Sequence, residues 1–212
     1  FGLGRQLFIG IGDNTIPNQS DGFTSIDERK ERTLYDSQRT AGNSNDLRGS
    51  ILRITVNEDG SYDIPKGNLY PPGTPKTRPE IYIKGCRNPF RISFDKKKSA
   101  LYWGDVGPNG IENNPQRGPL GMDELNQATE AGFYGWPYFI GKNEPYVDYD
   151  FATKSSLTPF SGDVRNNSPN NTGLETFEDA QTALLSYGNA ESDELPNFGS
   201  GARTIMAGPM YY

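Results

Sequence analysis

The sequence predicts an all-β protein, and three observations carry that expectation. Gly (25) and Pro (16) are abundant among 212 residues and interrupt the tracts that would otherwise sustain a helix. Hydrophobic residues make up only 33% while aromatics reach 12%, which suits a sheet protein with many turns and long surface loops. Short strand-like stretches recur, and two of them echo each other: QLFIGIGDN (6–14) and ALYWGDVGPN (100–109) both run from Leu and an aromatic through small residues to an Asp and a turn. Recurring short strands with Gly-Asp endings suit a β-propeller, whose blades are four-stranded sheets set round a channel. A β-sandwich is the alternative, since short antiparallel strands alone do not separate the two.

In chain order, residues 4–13 (GRQLFIGIGD) predict a strand running into a turn. Residues 14–47 are polar and irregular, and TSIDERKERTLYDSQR (24–39) is the one tract with helical composition. Residues 48–65 predict a strand, an Asp59-Gly60 turn and a second short strand. In PEIYIKGCRNPFRISFD (79–95), Ile81-Tyr82-Ile83 and the alternating Phe90, Ile92 and Phe94 flank the joint Gly85-Cys86-Arg87-Asn88-Pro89. SALYWGDVG (99–107) predicts another strand. Residues 122–139 predict strand, turn, strand, because Gly132 and Gly135-Trp136-Pro137 forbid a sustained helix. Residues 141–172 predict a long polar loop, and ALLSYG (183–188) and ARTIMAGPMYY (202–212) predict closing strands. The chain opens on Phe1 and stops on what reads as mid-strand, so the expectation is one partial domain over 1–212, truncated at both ends. At about 40–50 residues per blade, and more with long loops, it holds roughly three blades.

Composition excludes several functions. A formal net charge of -6 disfavours a nucleic-acid backbone as partner. No apolar run approaches the ~18 residues of a membrane span. The single cysteine, Cys86, rules out an intrachain disulfide framework and a multi-cysteine zinc site. It reads as a small buried residue beside a turn, with a reactive thiol as the alternative. With no histidine, Ser-His-Asp and Cys-His devices and His-ligated metals are excluded. No phosphate-cradling loop or GxGxxG stands between a strand and a helix.

Three places could carry chemistry. Arg87 offers a fixed fork of donors that suits a carboxylate, and Asn88 adds a donor and an acceptor beside it. Pro89 cannot join a ladder and pushes Asn88 toward extended backbone, which holds the pair off the sheet. Alternatively, Arg87 pairs with a neighbouring acid and Asn88 caps the turn. GDVGPNG (104–110), with MDELNQ (122–127) and GFYGWP (132–137), combines Gly-Pro carbonyls with the Asp123-Glu124 pair, the oxygen chemistry a hard cation such as Ca²⁺ requires. Alternatively, the acids are solvated and Gly-Pro is only a turn. Asp13 stands at a strand end, where capping its own turn competes with a functional role. Asp148 and Asp150 add to a cation site or belong to a solvated loop.

The ordered set IGIGDN, NDLRGSILRI, DGSYDIPKGN, PEIYIKGCRNPFRISFD, LYWGDVGP, DELNQ and GFYGWP resembles the soluble glucose/sorbosone dehydrogenase family, from about Leu7 to Pro137. The likeness weakens through 141–172 and returns in GSGARTIMAGPMYY. Within that family it looks closest to sorbosone-dehydrogenase-like domains of large secreted bacterial proteins. The resemblance implies a six-bladed β-propeller quinoprotein that binds pyrroloquinoline quinone (PQQ) and Ca²⁺ and takes a hydride from the anomeric carbon of an aldose or sorbosone-like sugar. It implies that Arg87 and Asn88 contact the quinone and that the Gly107 and Pro108 carbonyls hold the cofactor's calcium. Glu124 and Tyr134 would serve a second, structural calcium. Asp13 would orient a general-base histidine absent from these residues, so the stretch alone would be inactive. It further implies a periplasmic or extracellular location, with a sugar substrate, the rest of the propeller and further domains as partners. Val106 departs from the family, which offers the quinone a polar group there, and the spacer from Pro108 to Asp123 is longer than usual. A propeller that has lost its chemistry and binds carbohydrate or protein is the alternative.

Overall fold

Apolar residues alternating along short runs, each ended by Gly, Pro or Asp, set the strands of the computed structural model, which describes residues 1–212. They are β1 (Gln6–Ile11), β2 (Ser50–Val56), β3 (Tyr62–Asp63), β4 (Ile81–Lys84), β5 (Pro89–Asp95), β6 (Ala100–Asp105), β7 (Asp123–Ala128), β8 (Gly132–Phe133), β9 (Phe139–Ile140), β10 (Glu144–Pro145), β11 (Val147–Asp150), β12 (Ser155–Pro159) and β13 (Leu185–Tyr187). The chain is all-β, as its composition predicts. One sheet runs β1-β2-β4-β8, with β3 on the far end of β2; a second runs β13-β7-β6-β5. All pairings are antiparallel except β4 with β8.

The main core lies where side chains of the two sheets meet. Phe8 of β1 stacks on Phe94 of β5 (centroids 5.4 Å apart), and Trp103 of β6 meets Tyr134 edge-on at 4.7 Å. Trp103, Ile51 and Ile83 are fully buried; each such side chain contributes about 1.5–3 kcal/mol. Smaller clusters round Trp136 and Tyr138 pack the loops at one end of the sheets.

Three expectations need correction. The tract 24–39 forms no α-helix, only two 3-10 turns at Thr33–Tyr35 and Ser37–Arg39. Asp36 between them is extended, and its buried carboxylate accepts from the Gln38 amide, Ser168 Oγ and Asn170 Nδ2, so distant partners override local helix preference. The region 141–172 is not a structureless loop, because β10 pairs with β9 and β11 with β12. Asp150 closes the second hairpin by accepting the Ala152 and Thr153 amides. Residues 202–212 form no strand. That segment crosses β6 at Gly104, where a Cβ would lie 2.9 Å from the backbone of Ile205 and Met206, and it finds no ladder to join.

Candidate functional site

The joint between β4 and β5 is stitched to the ends of two other strands. Gly85 has φ +81, and a Cβ there would strike Phe133 at 2.5 Å, so only glycine turns the chain at this point. The carbonyl of Arg87 accepts from the Asp13 amide at 2.9 Å, beyond β1, and that of Asn88 accepts from the Val106 amide at 3.1 Å, beyond β6. Asp105, buried at the end of β6, accepts the amides of Arg87 (3.1 Å) and Asn88 (2.6 Å). Burial, only partly offset by those two amides, pushes its carboxyl up to about 7.

The side chains of the joint are left for other work. Arg87 donates Nη1 to the Val106 carbonyl at 2.9 Å and lies 5.7 Å over the Trp136 ring. Asn88 is exposed, and its side-chain amide has no hydrogen bond within the chain. Both line an open groove of about 550 Å³ with Arg48 and the 11–15 segment. Arg48 forks onto Asp46, and its carbonyl is fixed by Lys84, whose fully buried ammonium donates to Asp46 O, Arg48 O and Ser50 Oγ. Burial pulls that ammonium down to about 7. Two guanidinium groups and an unengaged amide on one concavity suit a flat ligand carrying several carboxylates, so the groove's chemistry fits PQQ.

Asp13 also faces this groove. Its carboxylate accepts from the Thr15 amide (3.1 Å), Ser37 Oγ (2.8 Å) and Trp136 Nε1 (2.8 Å), which leaves one of roughly four acceptor positions open. Asp13 is thus a fixed carboxylate, able to orient one further donor.

Gly107 and Pro108 lie behind the joint. The Gly107 amide donates to Asp123 Oδ1 at 2.9 Å. The Pro108 carbonyl accepts from Arg203 Nη2 at 2.5 Å. Arg87 and Gly107 share one small cavity, whereas the Pro108 carbonyl points at Arg203 and Gly121. A guanidinium thus already engages one of the two carbonyls.

That cavity is lined by Asp105, Glu124 and Tyr134 as well, with room for about one water-sized occupant at about 10 Å³. Glu124 accepts from the Gly141 amide (2.5 Å) and Asn126 Nδ2 (3.1 Å). Burial and the nearby Asp105 charge push its carboxyl up to about 8. Asn126 Oδ1 is buried without a partner. Asp105 and Glu124 bring two buried carboxylates, the oxygen donors a hard cation takes, to this cavity beside the Arg87 guanidinium; Asn126 does not line it. Tyr134 donates its hydroxyl to Gln127 O at 2.7 Å.

The structure therefore brings Arg87, Asn88 and Asp13 onto one groove and Glu124 and Tyr134 onto the cavity beneath it. Asp148 and Asp150 line a separate surface depression with Glu28 and Arg29. Sequence reasoning missed Asp105 and Arg48, and placed Arg203 or Thr204 only loosely near later cofactor contacts of the resembled family. Asp105 could have been found, because the runs 6–14 and 100–109 each pass through small residues to an aspartate; nothing local marks Arg48.

The profile of the Glucose / Sorbosone dehydrogenase family matches residues 4–161. The HIPL2 protein of Arabidopsis thaliana is 29% identical over 204 residues, covering 90% of this chain and 24% of that protein. Quinoprotein glucose dehydrogenase B of Acinetobacter calcoaceticus is 28% identical over 160 residues, covering 74% of this chain and 29% of that one. The chain thus spans about a quarter of the length of these curated relatives. Among solved structures, the apo soluble aldose sugar dehydrogenase of Escherichia coli superposes with a TM-score of 0.42 at 19% identity, over 92% of this chain and 42% of that one. The motifs that meet at the groove lie inside the matched span, and this chain belongs to the glucose/sorbosone dehydrogenase family.

Proposed function

We propose that these residues form part of a six-bladed β-propeller quinoprotein that oxidises an aldose or sorbosone-like sugar. The observation that carries this reading is the groove on which Arg48, Arg87 and Asn88 converge. When bound there, PQQ would supply the redox chemistry by accepting two electrons as a hydride. Arg87 and Arg48 neutralise and align carboxylates of the ligand, and Asn88 offers its unengaged amide. Asp13 acts as a positioning residue for a proton acceptor outside these residues, since the sequence holds no histidine. Calcium belongs with the Asp105 and Glu124 carboxylates rather than the Pro108 carbonyl. No helix is long and apolar enough to cross a membrane; a periplasmic or extracellular bacterial setting follows from the resemblance alone.

A second reading is a binding module without redox chemistry. Val106 favours it: its side chain is apolar, and its carbonyl is already held by Arg87. Titrating the full-length protein with PQQ separates the two. Saturable binding with a quinone absorbance change that bleaches on adding sugar supports the enzyme; absence of binding at millimolar calcium rejects it.

A further inference from the structure

The Gly107–Pro108 loop contains a cation that belongs to the chain. Arg203 is almost wholly buried, at 6% side-chain exposure, and each nitrogen of its fork faces an oxygen. Nη2 donates to Pro108 O at 2.5 Å, Nη1 donates to Asn189 Oδ1 at 2.6 Å, and Nε lies 3.4 Å from Asp123 Oδ1. Asp123 is 1% exposed and also accepts the Gly107 amide, so one buried carboxylate binds both the loop and the guanidinium. The surrounding backbone closes tightly on this cluster. A Cβ on Gly107 would lie 1.7 Å from Met122 O; one on Gly121 would lie 1.8 Å from Pro108 O and 2.9 Å from Arg203 Nη2.

We propose that Arg203 is the resident cation of this loop, standing where the family resemblance expects a divalent metal. The loop is then held in place without calcium. The charge balance supports this: one buried carboxylate is matched by one guanidinium, and a divalent ion at Pro108 O would face a fixed positive charge across a few ångströms of poorly screened interior. The geometry supports it too, because Nη1 and Nη2 donate to two separate oxygens while Nε stands as an ion-pair neighbour of Asp123 without a hydrogen bond, whereas Ca²⁺ requires six to eight oxygens around one point. Arg203 also ties the 189–204 segment to the loop: Tyr187 Oη donates to Thr204 O just beyond it. It acts as a positioning residue for the Gly107–Pro108 loop. The inference deepens the proposed function by making that loop independent of metal, yet it is read from calcium counts and stands apart from whether quinone binds.

The test is calcium stoichiometry by equilibrium dialysis on the wild type, R203M and R203K. R203M frees Pro108 O and the Asp123 carboxylate, so it should bind one more Ca²⁺ per chain than the wild type. It should melt lower in chelator and recover with millimolar calcium. R203K keeps the charge and should gain no ion. Equal stoichiometry in wild type and R203M, or loss of an ion in R203M, overturns the proposal. Hydrogen exchange of the wild-type Gly107 amide decides the matter if R203M does not fold. Equal protection in chelator and in calcium is expected; protection that appears only with calcium overturns it.

Discussion

β1 and β6 run through nearly the same pattern toward an aspartate, Asp13 two residues beyond β1 and Asp105 at the end of β6, yet the two carboxylates live differently. Asp13 faces an open groove and collects donors from three separate segments, Thr15, Ser37 and Trp136. Asp105 is sealed beneath the joint and has only the amides of Arg87 and Asn88. The strand preceding each is comparable; what crosses over it is not. The 202–212 segment lies directly on Gly104 before Asp105, while Gly12 before Asp13 meets only Asn88 Oδ1 and the Arg87 backbone at ordinary contact distance. A motif therefore fixes where a carboxylate stands, and its neighbours decide whether it holds a loop, serves a ligand or stores an unfavourable charge.

The largest expected effect comes from filling the tight side. Gly107→Ala drives a Cβ into Met122 O and should cost about 3 kcal/mol or more; Gly104→Ala should cost about 1–3 kcal/mol. Gly12→Ala, on the open side, should cost under about 1 kcal/mol. Urea denaturation gives all three, and equal losses would break the comparison. Next come the carboxylates themselves. Asp13→Asn should lower stability by about 1–2 kcal/mol, because one of its three donors then meets an amide nitrogen. Asp105→Asn should lose a similar amount at pH 5 but gain on the wild type at pH 8.

That crossover follows from proton linkage. Asp105 and Glu124 titrate higher folded than unfolded, so between about pH 4 and about 7–8 the folded chain holds protons the unfolded chain has released. Stability should fall as pH rises through that window in calcium-free buffer and level off above it. Saturating calcium should flatten the slope if a cation binds those carboxylates. Urea midpoints across pH 4–9 measure this, and stability rising with pH would refute it. The smallest effect is at the groove. Arg87→Gln should weaken PQQ binding about tenfold, near 1.4 kcal/mol. Arg48→Gln should weaken it only a few-fold, since Asp46 already shares that charge. Fluorescence titration ranks the two.

Much of the fold was readable because strands of four to seven residues with turn residues at both ends are local features: β1, β2 and β4 through β7 fall where the pattern sets them. The hairpin β11–β12 was not, since its residues are polar and mostly exposed and its turn depends on Asp150 capping two amides. The closing strand at 202–212 was over-read, because the Ile205–Met206 backbone lies across β6 at Gly104 instead of joining a ladder, and Tyr211 and Tyr212 are exposed. At the site, Arg87 and Asn88 stood out as polar residues between two strands and Asp13 as a carboxylate at a strand end. Arg48 did not, being one arginine among several in a polar loop, and Arg203 showed only as a loose family match, because its partner Pro108 lies 95 residues away along the chain.

The amino-acid sequence by itself determined the all-β class, the turn-rich layout, the absence of histidine from these residues and the position of Arg87 and Asn88 at a strand joint, since all of these follow from residue type and short-range spacing. Only the tertiary structure decided that the Pro108 carbonyl is held by Arg203 and that Asp105 and Glu124 share a buried cavity. Those outcomes depend on residues 19 to 95 positions apart meeting in a poorly solvated interior, where the nearest charge, and not the local pattern, sets the energy.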